Sequence, residues 1–243
     1  MVKFFETSFT YDYSFPAVTL AYFLRYPNPY STHVLSTDVI SRTVDPSSGR
    51  LHTLRVHRKS SRLPPAVLKL LPKSVLGSVR GGRSESYILE SSTIDIKEGW
   101  MKTESKNLDW TGILSVVEKQ EYRRNVPANE SDDFKVDTGT TGVVTTVIFK
   151  SRLGDRLRAR ATRKGEAALG EGDDEPPKRS LLASWSTIGI QRSIEAIASR
   201  KTENQLGNSK QGMTIVLERL RSGGLVGVLD GMRRDSQGVL KSG

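Results

Sequence analysis

From Val2 to Arg152, hydrophobic positions recur mostly with a period of two, the spacing of β-strands, and one denser run breaks that rhythm early. Over Val2 to Tyr13, Phe4, Ser8 and Thr10 fall on one face and Phe5, Phe9, Tyr11 and Tyr13 on the other, which predicts a strand. Ser14 then offers an N-cap, with Pro16 tolerated in the first turn. Phe15 to Leu24 is apolar nearly all round (Phe15, Val18, Leu20, Tyr22, Phe23, Leu24), so a buried helix is expected there. It meets a sharp stop in Arg25-Tyr26-Pro27-Asn28-Pro29-Tyr30-Ser31-Thr32-His33-Val34-Leu35. Neither proline can continue a helix, and each pushes its predecessor toward extended geometry, so a stiff corner joins helix to strand. The corner reads two ways: as a helix stop with Tyr26 and Tyr30 tucked into the core, or as a place where Arg25, at the end of a buried helix, faces an anionic ligand.

Beyond the corner, Val34 to Asp45 alternates, Asp45-Pro46-Ser47-Ser48-Gly49 is turn chemistry, and Leu51 to Lys59 returns as the other half of a hairpin. Leu63 to Leu76 departs from the alternation. Pro64-Pro65 opens a short apolar helix, Ala66 to Leu71, closed by Pro72: either a core helix or a mobile lid over a cavity. After the basic turn Arg80-Gly81-Gly82-Arg83, strands are expected over Ser86 to Asp95, Trp100 to Leu108, Gly112 to Arg123 and Thr141 to Arg152, with residues 127–140 an exposed loop. About seven consecutive strands imply a largely antiparallel meander.

Residues 153–178 change character, with a basic block (Arg156, Arg158, Arg160, Arg163, Lys164) followed by an acidic one (Glu166, Glu171, Asp173, Asp174, Glu175), and read as a disordered or weakly ordered insertion. Ser180 then caps a long helical pattern through Leu181, Trp185, Ile188, Ile194, Ile197, Leu206, Met213, Leu217 and Leu220. Gly207 and Gly212 are candidate kinks, Gly223-Gly224 a candidate end, and residues 222–243 a flexible Gly/Ser-rich tail with at most a short amphipathic piece.

The 243 residues fit one large domain or two small ones and allow a sizeable core. A net charge of +10 favours anionic partners: nucleic acid, anionic lipid surface or a phosphorylated ligand. The absence of cysteine excludes disulfides, thiolate nucleophiles and Cys-based metal sites. No apolar run approaches the ~20 residues of a bilayer span. The aromatic, alternating N-terminal stretch resembles neither a signal peptide nor an Arg-rich presequence. His33, His52 and His57 lack a metal-ligand context, and no nucleophile elbow, phosphate-binding loop or dinucleotide fingerprint is present. Neither a metal, a cofactor nor an enzymatic activity is expected. A nucleic-acid-binding module lacks a groove-reading element or a row of stacking aromatics. An interaction-only scaffold, its interior filled by side chains, is the other rival.

A long twisted sheet crossed by a long helix can enclose an apolar cavity, and chain burial at ~0.8 kcal/mol per CH₂ would drive a lipid into it. A phosphate headgroup then needs cations at the cavity end, because an unpaired buried charge costs several kcal/mol. Arg25, Lys59 and Lys201 could converge there or remain solvated surface cations; periodicity leaves both open.

The corner motif resembles the signature of the PRELI-like (PRELI/slowmo) family of mitochondrial lipid-transfer proteins. Supporting stretches are Val39-Ile40-Ser41-Arg42 with Val44-Asp45, Arg62-Leu63-Pro64, Glu90-Ser91-Ser92-Thr93-Ile94-Asp95, Asn107-Leu108-Asp109 before Thr111-Gly112-Ile113, and Lys210-Gln211-Gly212-Met213. The resemblance covers residues 1–125 and 141–221. It implies an α+β fold like those of START and phosphatidylinositol-transfer proteins, with an antiparallel sheet wrapped on a long C-terminal helix over residues 1–221. It further implies a non-enzymatic carrier of phosphatidic acid or phosphatidylserine in the mitochondrial intermembrane space. The phosphatidic acid branch of the family feeds cardiolipin synthesis. The implied partners are the phospholipid, an anionic membrane surface bound peripherally, and a small helical protein with twin Cys-x9-Cys motifs in a heterodimer; nucleic acid is not among them. By resemblance the headgroup cations fall on Arg25, Lys59 and Lys201, with further polar contacts at Gln205 and Asn208, where the family's phosphatidic acid carriers tend to have Asn and Lys. The lid loop falls on the Leu63-to-Leu76 segment: Leu63, Pro64, Val67, Leu68 and Leu71.

Overall fold

The computed structural model describes residues 2–62, 79–80, 83–109, 111, 114–125, 139–151 and 179–241. Of these, residues 3, 61–62, 79–80, 151, 179–203 and 238–241 are described by their backbone alone. Alternation becomes strand wherever it was strong: β1 (Val2–Tyr11), β2 (Val34–Val44), β3 (Leu51–Arg62), β5 (Arg83–Asp95), β6 (Trp100–Asn107), β7 (Leu114–Arg124) and β8 (Thr141–Ser151). A two-residue strand, β4 (Val79–Arg80), pairs with the start of β5. The order is β1-β8-β7-β6-β5-β3-β2 with β4 attached to β5, and each pairing is antiparallel. The expected meander is therefore present, with β1 closing against β8.

The buried helix α1 spans Phe15–Leu24, and the Ser14 hydroxyl accepts from Ala17 N–H at 3.4 Å as its N-cap. A single 3₁₀ turn, Pro29–Ser31, follows the corner. The long helix α2 spans Arg179–Lys241. Met213, Val216, Leu217 and Leu220 follow the i, i+3, i+4, i+7 pattern, and all four are buried. They pack with Phe15, Val18, Ala21 and Tyr22 of α1 onto Ile94, Met101, Tyr122 and Val143 of the sheet's inner face. Each such side chain contributes about 1.5–3 kcal/mol when fully buried.

Two expectations about α2 are corrected. Gly207 and Gly212 do not kink it; the one residue with non-helical dihedrals inside is Gly224, at φ 57° and ψ −153°. That conformation is open essentially only to glycine. Nor do residues 222–241 of the expected Gly/Ser-rich tail run on as a flexible segment, because the helix resumes after Gly224 and folds back. Arg219 Nη1 reaches Asp235 Oδ2 at 2.7 Å although the two are sixteen residues apart. A straight helix would separate them by ~24 Å. Val228 is fully buried in this returning arm, with Met232 packed beside it. Composition suggested flexibility, but Val228 and Met232 form one apolar stripe, and burying it outweighs the low helix propensity of glycine. The insertion at 153–178 and the Leu63-to-Leu76 segment lie outside the described residues.

The inner face of the sheet is sorted into two halves. Toward β8 and the ends of β5, β6 and β7 it is apolar and carries the core. On β3 the inward positions are Thr53, Arg55, His57 and Lys59, the first three almost wholly buried. Strand register puts Arg55 opposite Glu90, Glu90 opposite Ser105, Ser105 opposite Glu118, and Glu118 opposite Val147. A polar row thus crosses the sheet on its covered side.

Candidate functional site

The site grows from the C-terminal end of α1. Arg25 is its C-cap residue, at φ −67° and ψ −14°. The last carbonyls of a helix lack intrahelical partners, and here side chains supply two of them. Asn28 Nδ2 donates to the Arg25 carbonyl at 2.5 Å, and Arg55 Nη1 donates to the Phe23 carbonyl at 3.2 Å. Asn28 also accepts from Tyr30 N–H at 2.9 Å and is 2% exposed. Gly212 of α2 is seated against it: a Cβ there would lie 2.8 Å from Asn28 Nδ2. Gly212→Val is therefore expected to dislodge Asn28 from its bonds and lower stability by about 1–3 kcal/mol. Thermal unfolding reads this directly, and an unchanged Tm would show that the corner does not depend on that close approach.

Beneath the corner lies Glu90, 1% exposed. Arg25 Nη2 donates to its Oε2 at 2.5 Å, while Arg55 donates through Nε at 2.9 Å and through Nη2, both to Oε1. His57 Nε2 lies 3.2 Å from Oε2. Burial alone would raise the Glu90 carboxyl, but Arg25, His57 and Arg55 outweigh it and hold it well below the usual carboxylate range. Burial pushes the His57 ring below its ordinary value despite Glu90. The His57 Nδ1 and the Thr37 hydroxyl are hydrogen-bonded at 2.9 Å, while Nε2 faces Glu90 Oε2 but is buried without a hydrogen-bond partner among the described residues. Arg25 also lies over the Tyr22 ring at 4.0 Å and the Tyr26 ring at 4.9 Å. Tyr26 is half-buried against His57 and Tyr30 is exposed, so Tyr30 is not a core residue.

The polar half of the sheet, the corner and the α2 segment from Gln205 to Ser209 enclose a cavity of about 340 Å³. Small-molecule sites run from ~300 to ~1,000 Å³. Of the five headgroup residues implied by resemblance, Arg25, Lys59, Gln205 and Asn208 all line it. Lys201 lies on α2 one turn before Gln205, and its side chain is outside the described residues. So are the lid positions Leu63, Pro64, Val67, Leu68 and Leu71. Gln205 and Asn208 are exposed and stand at the mouth, whereas Arg25 and Glu90 lie at the buried end.

Three features of this wall escaped sequence reasoning. Arg25 is paired rather than free, through Glu90. Even so, its Nε is buried without a hydrogen-bond partner, so the guanidinium keeps donor capacity beside the cavity. Arg55 and His57 complete the cluster. Glu118 also lines the cavity, and among the described residues neither its carboxylate nor the Lys59 ammonium forms a hydrogen bond or ion pair. A weak signal was available in the sequence: alternation puts Glu90 on one face with Ile88, Ser92 and Ile94, and Glu118 on one face with Val116, Gln120 and Tyr122, so each carboxylate stands among partly apolar neighbours.

Comparison with known proteins places the chain. The family model described as the PRELI-like family matches residues 16–160. Protein UPS1, mitochondrial, of Saccharomyces cerevisiae is 41% identical over 220 residues, covering 90% of this chain and 95% of that protein. Protein ups1 homolog of Schizosaccharomyces pombe is 42% identical over 118 residues, 49% of this chain and 61% of that one. PRELI domain-containing protein 1, mitochondrial, of Bos taurus is 36% identical over 125 residues, 51% of this chain and 53% of that one. Among solved structures, that of Ara h 8.0201 overlays with a TM-score of 0.36 at 12% identity, covering 88% of this chain and 99% of the other, a likeness too distant to bear on function. The match over most of its length to a mitochondrial relative, with the corner, the sheet and α2 all inside one fold, makes this chain a member of the PRELI-like family.

Proposed function

We propose that this chain is a non-enzymatic phospholipid-transfer protein of the mitochondrial intermembrane space. In this reading it carries phosphatidic acid between the outer and inner membranes and so supports cardiolipin synthesis. The observation that carries this reading is the cavity itself, whose wall gathers Arg25, Lys59, Gln205 and Asn208 from three separate elements. Arg25 and Lys59 supply the positive charge a phosphate needs. The arginine fork can donate two parallel hydrogen bonds, and the lysine acts as a compact point charge. Gln205 and Asn208 offer amides to the headgroup's remaining oxygens at the mouth. Acyl chains extend past them, and their burial drives uptake. A basic chain of net charge +10 favours contact with anionic membrane surfaces. The resemblance adds a small twin Cys-x9-Cys helical partner, with which the carrier works as a heterodimer.

Phosphatidylserine is the second reading, favoured by one observation: the two α2 positions at the mouth are the neutral amides Gln205 and Asn208. Transfer of labelled lipids between donor and acceptor vesicles, with and without the heterodimer partner, tests both. Phosphatidic acid is expected to move fastest, and Lys59→Gln to slow it by about tenfold, the effect of one charge-assisted contact. Faster movement of phosphatidylserine would exchange the two readings. No movement of any phospholipid by folded protein would end both.

A further inference from the structure

Glu118 is the odd group in the cavity. It projects from the middle of β7 into a wall that otherwise gathers cations and amides, and no described side chain hydrogen-bonds or ion-pairs with it. Its cross-strand neighbours are Ser105 and Val147, neither of which can neutralise a carboxylate. Leaving a half-buried anion unpaired is costly, and placing it where another anion must bind is costlier.

We infer that Glu118 is a specificity-determining, proton-carrying residue of the headgroup site, taking up one proton from solvent as a phosphomonoester headgroup enters beside Lys59 and Arg25. The inference deepens the transfer function proposed above and rests on it. Charge matching supplies the argument. Among the described residues, Arg25, Arg55 and Lys59 face Glu90 and Glu118, three cations against two carboxylates when both are ionised. The surplus of one positive charge suits a phosphodiester, which carries a single negative charge. A phosphomonoester carries about −1.5 to −2 near neutral pH. With Glu118 protonated the surplus becomes two, and the neutral acid can donate a hydrogen bond to a phosphate oxygen instead of repelling it.

The electrostatics run in the same direction. Burial pushes the Glu118 carboxyl above its ordinary value, and Lys59 and Arg25 oppose that only in part, with Glu90 adding to it. Among the described residues, the other titratable groups of the wall are Tyr26, His33 and His57 on the corner side, with Lys106 and Asp109 at the end of β6. Burial lowers the His57 ring below its ordinary value. The elements that face Glu118 from α2 contribute the uncharged Gln205, Asn208 and Ser209. A phosphate arriving beside Glu118 raises its proton affinity further, because like charges a few ångströms apart disfavour joint ionisation.

The test uses the full chain and its Glu118→Gln variant, which keeps the shape of the side chain. Folding is not at risk, since removing an unpaired carboxylate is expected to leave the variant at least as stable at neutral pH. Vesicle-to-vesicle transfer of phosphatidic acid and of phosphatidylglycerol, a diester, is followed between about pH 7.5 and about pH 5.5. For the wild type, phosphatidic acid transfer is expected to rise as pH falls. Glu118→Gln is expected to transfer it roughly three- to tenfold faster at the alkaline end, with a flatter profile, while changing phosphatidylglycerol transfer far less. Infrared difference spectra of the wild type loaded with phosphatidic acid are expected to gain the carbonyl band of a protonated carboxylic acid, absent in the variant. Inorganic phosphate alone is expected to leave that band unchanged, because the acyl chains supply the affinity. Equal pH slopes in the two proteins, or no such band, would overturn the role of Glu118 while leaving lipid transfer intact. A band of equal size from free phosphate would overturn its coupling to lipid. Absence of transfer by both folded proteins at every pH would instead overturn the transfer function, and this inference with it.

Discussion

Glu90→Gln is expected to lower folding stability by about 3–5 kcal/mol, a large share of the 5–15 kcal/mol typical of a domain. The reason lies in what it leaves behind. Arg25 and Arg55 are both almost wholly buried, and both direct guanidinium N–H groups at the one carboxylate. An amide in its place can accept a hydrogen bond but cannot balance two cations. For a chain of this size the Tm should fall by on the order of 10 °C. Joint replacement of Arg25, Arg55 and Glu90 by apolar residues of similar volume should recover much of that loss, because desolvating the charges no longer has to be offset. Lipid transfer should not recover with it. The pH dependence has a definite sign. Glu90's folded pKa is depressed below its unfolded value, so its contribution is complete above the ordinary glutamate range near ~4.3 and is lost as pH falls below it toward the folded value. The gap in stability between wild type and Glu90→Gln should therefore be widest at neutral pH and narrow in acid. Chemical denaturation at a series of pH values measures it; a gap that does not change with pH would mean that the carboxylate is not ionised in the fold.

Arg25→Gln is expected to reduce phosphatidic acid transfer by about 10- to 100-fold, from the ~1.5–3 kcal/mol of a hydrogen bond to a charged group, with a smaller loss of stability than Glu90→Gln. The asymmetry follows from the cluster. When Arg25 is removed, Arg55 still neutralises Glu90 through two donors, so no unpaired buried charge remains. What disappears is the one arginine that both lines the cavity and has a buried Nε with no partner. Arg25→Lys should fall in between, keeping the charge but losing the planar fork that stacks on Tyr22 and Tyr26. Transfer rates equal to wild type in both variants, with unaltered thermal unfolding, would remove Arg25 from the headgroup site.

Much of this architecture can be read from residue pattern. The strands over Val34–Val44 and Leu51–Arg62 are announced by alternation around the Asp45–Gly49 turn, and the limits of α1 by Ser14 and the two prolines. Charge pairing was harder to foresee. Period two sorts β3 into Thr53, Arg55, His57 and Lys59 on one face and Leu54, Val56 and Arg58 on the other, but it does not say which face is covered. The usual rule assigns the polar set to solvent; here it faces inward, because the end of α1, the corner and the Gln205–Ser209 part of α2 lie over it. Likewise the sequence separates Arg25 from Glu90 by sixty-five positions, and only the pairing of β3 with β5 brings Arg55, His57 and Glu90 together under the end of α1. Four of the five positions that the resemblance proposes for the headgroup nevertheless line one cavity, since resemblance transmits tertiary position that spacing cannot.

The inward-facing polar set on β3 also bears on the unloaded protein. A greasy hollow emptied of lipid tends to close on itself or to take up any apolar molecule at hand. Walls carrying guanidinium, imidazole, ammonium and hydroxyl groups accept water instead, and water can enter and leave without repacking the apolar half of the sheet. Filled and empty forms can then share one backbone arrangement. Under the proposed transfer function, such a protein would work as a returnable vessel, delivering its cargo, crossing back filled with solvent and being refilled without refolding on either leg.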